Sequence, residues 1–180
     1  MDLERIVDAA LALLDARGLP DLSMRAVAAS LGVQPSALYW HVRNKQQLLG
    51  LIADRIVAEA GDGDGLADQV LRLRTALLAH RDGAELVASS IALGMGGGAI
   101  RSSLRRAAER QSHSADRAPA VVEALALVLL GHTQLEQQRQ QALEIGIDMG
   151  EGEPAPSLPE LVSLIIAGAV EYRAIEGSGT

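Results

Sequence analysis

Between Ser23 and Leu49 the chain reads SMRAVAASLGVQPSALYWHVRNKQQLL, and its helix starts and stops lie so close together that only short helices fit between them. Ser23 can cap a helix running from about Met24 to Leu31, with Ala26, Val27 and Leu31 as its apolar face. Gly32 follows where a helix ends in the left-handed conformation, which glycine adopts without steric cost. Val33 would fill the corner, and Pro35 opens a second helix at a position whose N–H has no helical partner anyway. That helix is short, Ser36 to about His41. Leu38 is its one clear core residue; Ser36, Ala37, Tyr39, Trp40 and His41 are free to face outward, with one of Tyr39 and Trp40 expected to pack partly inside. Two helices joined by a tight glycine turn form a helix-turn-helix, which lays its second helix in the major groove.

The charge pattern agrees. The chain is acidic, with 16 Lys and Arg against 23 Asp and Glu and a net charge of −7. Yet no carboxylate lies between Asp21 and Asp54, and that window holds Arg25, Arg43, His41, the only lysine (Lys45) and the only tryptophan (Trp40). Ser23, Ser36 and Tyr39 add hydroxyls. A surface that approaches phosphate must shed carboxylates, because each would repel the backbone it docks on.

Other features bound the answer. Cysteine is absent, which excludes a disulfide framework, a thiolate metal site and a cysteine nucleophile. The start, MDLERIVDAA, is unlike a signal peptide. No apolar run approaches the ~18 residues of a membrane span. The expected setting is therefore the cytoplasm, with no membrane contact. With only Tyr39, Trp40 and Tyr172 as aromatics, the core and any ligand cavity must be aliphatic. No nucleophile–base set is visible, so no enzyme activity is expected. His80, His113 and His132 lack metal-ligand spacing, so neither a metal nor a cofactor is expected. His132 with Gln134 or Gln140 could supply polar contacts in a ligand pocket.

Helical periodicity predicts an all-α chain. Helices are expected over about 3–17, closed by Gly18, then over 44–60 with Asn44 as cap, 66–80, 84–93, 99–111, 120–145 opened by Pro119, and 158–175. GDGDG at 61–65 reads as a flexible break, and 112–119 and 146–157 as loops. Gly94 to Ala99 satisfies the G-x-G-x-x-A nucleotide pattern, but that pattern needs a buried strand before it. A hinge between helices is the better reading. The helices at 120–145 and 158–175 carry apolar side chains on more than one face (Leu127 and Leu130; Val162 and Ile166). A second copy of the same pair would cover them, giving a four-helix interface about a two-fold axis.

Taken together, these residues resemble the tetracycline-repressor (TetR) family of bacterial transcription regulators. The N-terminal helix ending in glycine, then SMRAVAASLGV, then LYWHVRNKQQLL, match its DNA-binding signature. ALLAHRDGA, LGHT at Leu130–Thr133 and the last helix are similar to tetracycline repressor itself. The resemblance implies three N-terminal helices that bind DNA (residues 1–47), followed by a helical ligand-binding and dimerising core (48–180). It implies that Arg25, Gln34, Pro35, Ser36 and Ala37 face the bases, and that Ser23, Tyr39, Trp40, His41 and Lys45 hold the phosphates. It also departs from the pattern. Val87, Gln140 and Gly61 stand where the repressor's metal and drug contacts would be, so tetracycline is not the expected inducer.

The expectation is a homodimeric regulator, a repressor released by a small, largely apolar ligand, acting on a near-palindromic site in double-stranded DNA. Leu86, Ser90, Met95, Leu127 and Gln134 are the candidate ligand-lining residues. The alternative is a helical ligand-binding or scaffolding protein whose motif no longer binds DNA.

Overall fold

A computed structural model describes residues 2–96, 98–110, 118–148 and 155–177, with side chains up to 169 in the last helix. The expectations for Gly97, for residues 111–117 with His113, for 149–154 and for the Val170 side chain lie outside it. Nine helices run through the described residues: α1 (Leu3–Arg17), α2 (Met24–Ser30), α3 (Pro35–Tyr39), α4 (Lys45–Glu59), α5 (Leu66–Leu78), α6 (Gly83–Ala92), α7 (Gly98–Arg110), α8 (Ala118–Glu144) and α9 (Leu158–Gly177). No strand occurs among these residues. Gly94 therefore follows a helix rather than a strand, and the nucleotide pattern has no structural support.

The chain forms two compact units. The first comprises Met1–Gly61 with Thr75–Ala99, the second Asp62–Arg74 with Ile100–Thr180. The division falls inside the glycine-rich break at 61–65. The expected boundary at 47 lies within α4 instead, and residues 1–47 as a separate reading domain remain a proposal.

In the first unit α1 is capped by Asp2, whose carboxylate accepts the Arg5 N–H at 2.9 Å. It buries Ile6, Val7, Ala10, Leu13 and Leu14 and ends at Gly18 with φ +84°. α4 packs against α1 and α6 through Leu48, Ile52, Ala53 and Ile56, all with no exposed surface. Gly50 is the closest point of that packing. A Cβ built there would stand 1.6 Å from the Met95 carbonyl oxygen, and one on Gly96 would stand 2.7 Å from the Gly50 Cα. Backbone meets backbone here, and no side chain fits.

In the second unit Leu66, Val70 and Leu73 of α5, Ile100 and Leu104 of α7, Leu125 and Leu129 of α8 and Leu158 of α9 form an aliphatic core. Arg101 binds Glu123 through two hydrogen bonds of 2.5 and 2.7 Å. That guanidinium holds the Glu123 carboxyl below the usual carboxylate range. Arg74 pairs with Glu136 in the same forked way. The glycine-rich break is tied down rather than loose. The Gly63 N–H donates to the buried Gln69 side chain at 2.7 Å, and Arg110 donates to the Gly63 carbonyl at 2.9 Å.

Two expectations change. α8 starts at Ala118, so Pro119 is its second residue, still within the first turn where a missing N–H costs nothing. It is also long and apolar enough to cross a membrane by length and composition, contrary to the sequence reading. Glu123, Gly131 and His132 break up its apolar run, so a continuous apolar stretch is shorter than the helix itself.

Candidate nucleic-acid interface

Local rules build the surface. The Ser23 hydroxyl accepts the Ala26 N–H at 3.2 Å and so starts α2. α2 ends through Gly32, φ +67°, with the Gly32 and Val33 amides donating to Ala29 and Ala28 carbonyls. The turn delivers α3 from Pro35. Only Leu38 of α3 is buried, and it joins Leu22, Val27 and Val42 under the surface. α3 is little more than one turn and stops at Tyr39, shorter than expected; beyond it the Leu38 carbonyl accepts both the His41 and Val42 amides.

That anchoring turns the remaining side chains outward. Arg25, Gln34, Ser36, Tyr39, Trp40, His41 and Arg43 are exposed, and Pro35, Ala37 and Lys45 are half-buried. One of Tyr39 and Trp40 was expected to pack inward. Instead Tyr39 is 53% exposed and Trp40 90%. A five-residue helix offers only one inward position, and Leu38 holds it. Burying an indole is worth several kcal/mol in most settings, on the order of 25 cal/mol per Å², so one left bare marks a surface that awaits a partner.

The sequence reading missed how the basic residues after α3 are held. Asn44 accepts the Gln47 N–H at 2.8 Å, and the Gln47 side chain accepts the Arg43 N–H at 2.7 Å. This is a reciprocal cap, and the Asn-x-x-Gln spacing was its available signal. It fixes the chain entering α4, and with it the directions of Arg43 and Lys45. The ten expected contact residues thus lie on two short helices, their caps, the turn after them and the start of a third helix.

The expected ligand residues are shared between the two units. Leu86 and Ser90 are buried in the first unit, where the Ser90 hydroxyl donates to the Leu86 carbonyl at 2.9 Å. Met95, also in that unit, is 37% exposed. Leu127 and Gln134 belong to the second unit, and Leu127 is 61% exposed, a surface residue rather than a core one. In the same unit Thr133 Oγ1 and His132 Nδ1 are buried without a hydrogen-bond partner. Buried polar atoms are usually hydrogen-bonded, and His132 Nδ1 lies 4.0 Å from a Glu136 carboxylate oxygen. Of the two, Thr133 was not singled out from sequence, where it reads as an ordinary helix residue. Val87 is fully buried among aliphatic side chains, and Gln140 is exposed and donates to Glu144 at 3.2 Å.

Comparison with known proteins places these observations. Residues 6–52 match the family model described as bacterial regulatory proteins, tetR family. The chain is 38% identical over 96 residues to tetracycline repressor protein class E of Escherichia coli, a match that takes in 48% of this chain and 46% of that one. The chain therefore spans about half the length of the curated relatives it matches. Among solved structures, BioQ of Mycobacterium smegmatis superposes with a TM-score of 0.83 at 34% identity, over 95% of this chain and 98% of that one. BioQ with its natural double-stranded DNA operator superposes with a TM-score of 0.72 at 35% identity, over 91% and 95% of the two chains.

Proposed function

We propose, from the premise that this chain belongs to the TetR family of bacterial regulatory proteins, that it is a sequence-specific DNA-binding transcription regulator, a repressor released by a small ligand. The observation that carries this reading is the outward face of α2, α3 and the start of α4. It has no carboxylate, displays Arg25, Arg43 and Lys45, and leaves Trp40 90% exposed. In this reading Arg25, Gln34, Pro35, Ser36 and Ala37 meet base edges, with Arg25 favouring guanine and the Ala37 methyl suited to a thymine methyl. Ser23, Tyr39, Trp40, His41 and Lys45 hold phosphates. The relative bound to a double-stranded operator supports the choice of duplex over single strands. The setting is the cytoplasm, where that DNA is, and no catalysis is part of the reading.

The working form is a homodimer. On the second unit Leu127 and Leu135 of α8 and Leu164 of α9 are 61%, 56% and 70% exposed. Gly131 lies between the two α8 leucines and Gly168 one turn after Leu164, and both are open on the Cβ side. Leucines alternating with glycines invite close approach by another helix. The ion pairs that α8 makes through Glu123 and Glu136 suit a protein interior edge, not lipid. Two-fold symmetry then calls for a near-palindromic operator with half-site centres about one helical turn apart, or a multiple of it. The inducer sits in the second unit, where the buried Thr133 hydroxyl has no hydrogen-bond partner and His132 lies beside Glu136. It is largely apolar, with one or two polar groups.

Selection of bound fragments from the source genome, followed by titration of salt, tests the proposal. A DNA reader recovers a two-fold-symmetric sequence and loses affinity steeply with salt. A chain that recovers no common sequence and binds without salt dependence is the helical ligand-binding protein with a vestigial motif.

A further inference from the structure

The turn between α5 and α6 carries His80, Arg81 and Asp82, and it is stitched to α1 and α4. His80 Nδ1 lies 3.1 Å from both carboxylate oxygens of Asp15, in the last turn of α1. Its Nε2 lies 2.9 Å from a carboxylate oxygen of Glu59, the last residue of α4. The Arg81 N–H donates to Asp15 at 3.2 Å, and the Leu19 N–H donates to the Asp82 carboxylate at 2.8 Å. The backbone is shaped for this contact. Asp82 has φ +56°, the sole positive φ outside glycine among the described residues. A Cβ on Gly18 would stand 2.8 Å from the Asp82 carboxylate, so the α1 end must be bare.

The ring is only 11% exposed, so water cannot replace its partners freely. Asp15 from α1 and Glu59 from α4 face it with carboxylates. On the turn itself Arg81 and Asp82 direct polar groups at α1. A neutral imidazole has one N–H and can donate to one carboxylate only; both bonds need the imidazolium. Burial alone would push the ring toward neutrality, but the hydrogen bonds to Glu59 and Asp15 outweigh it and raise the pKa above the ordinary histidine value.

We propose that His80 is a proton-operated clamp: charged, it holds the C-terminal ends of α1 and α4 to the α5–α6 turn, and when its proton leaves for solvent it frees α4 and weakens the DNA grip. This rests on the DNA-binding reading, because α4 begins at Lys45 beside the reading helix. A lone pair then faces one carboxylate, and the two helix ends repel. The sign follows from a folded pKa raised above the unfolded one. The clamp is fully present below the unfolded value of about 6.5 and is lost as pH rises through the folded value above it.

The test compares the full chain with His80→Gln. Binding is measured by anisotropy on the duplex recovered by fragment selection, and thermal midpoints are measured on the protein alone, from about pH 6 to about pH 9. Relative to His80→Gln, the parent is expected to lose about threefold or more in affinity across that window, and its midpoint to fall over the same range. Taking the ratio to His80→Gln cancels protons lost elsewhere. Glu59→Gln keeps the ring and removes one carboxylate, so the parent's transition should shift to lower pH even if His80→Gln folds poorly. Identical pH profiles for parent and both variants overturn the clamp. A pH-dependent midpoint without any selected duplex leaves the clamp but overturns its coupling to DNA, and with it the DNA reading.

Discussion

Two helical glycines, Gly50 in the first unit and Gly131 in the second, stand in opposite surroundings. Gly50 of α4 has a carbonyl where its side chain would be, whereas Gly131 of α8 and Gly168 of α9 face nothing within 4 Å. One glycine is required by the fold of a single chain. The others are unexplained by that fold and make sense against another surface. The exposed large side chains divide likewise. Tyr39 and Trp40 stand among cations and hydroxyls on a carboxylate-free face. Leu127 and Leu135 stand one turn either side of Gly131, and Leu164 one turn before Gly168. Exposure alone does not name a partner; the neighbours of the exposed group do, because phosphate selects for cations and a second apolar surface selects for shape.

The sharpest way to break the comparison is Gly50→Ala. The added methyl would overlap the Met95 carbonyl, and two backbones must part to admit it. A loss of about 3 kcal/mol is expected, at the upper end of overpacking penalties. Denaturant unfolding reads it directly; a midpoint equal to the parent's would mean that α4 and the residues after α6 are not in that contact.

Next in size is Leu164→Arg. Leu164 is 70% exposed, so one chain tolerates arginine there, but a covered interface would bury an unpaired charge. Dimer affinity should fall by about 2 kcal/mol or more, with helicity unchanged. Sedimentation at micromolar concentration shows it. Leu129 would be a poor choice for this test, since it is fully buried in its own unit and its replacement would unfold the chain.

Arg25→Ala and Lys45→Ala sharpen the other side. The first should cost about 1–3 kcal/mol and relax preference at one base pair. The second should weaken all sequences alike and flatten the salt slope by about one. If both bind duplex DNA as the parent does, the face is not a reader.

How much of this was legible in the sequence depends on how local each cause is. α1, α2 and α4 were readable because Ser23 and Asn44 are caps and Gly18 is a stop, all acting within four residues. α3 was read too long; beyond its end the Leu38 carbonyl captures two amides, which no propensity announces. Trp40 was expected to be divided between core and surface, and only the single inward position of a five-residue helix settles it outward. The outward face of the motif was legible because its residues are nearly contiguous. Leu127 was read as lying on a second apolar face of α8, and its 61% exposure agrees with that face being uncovered in one chain. His80 read as a satisfied polar residue. Its partner Asp15 lies 65 residues away, so no spacing could reveal the pairing.

The smallest effect is the most discriminating. Gly131→Ala adds one methyl to an exposed helix position that is open on the Cβ side. In an isolated chain, alanine is the better helix former and should stabilise α8 by about 1 kcal/mol. In a dimer whose helices approach over Gly131, the same methyl holds the partner away and forfeits packing on both copies. The two effects oppose each other and scale differently with concentration: the helix term is the same at every dilution, while the packing term is felt only where dimers form. Thermal unfolding across a dilution series therefore separates them. The variant should melt higher than the parent when dilute and lose that advantage when concentrated. A gain that stays constant across the series would place the dimer contact somewhere other than the glycine face of α8.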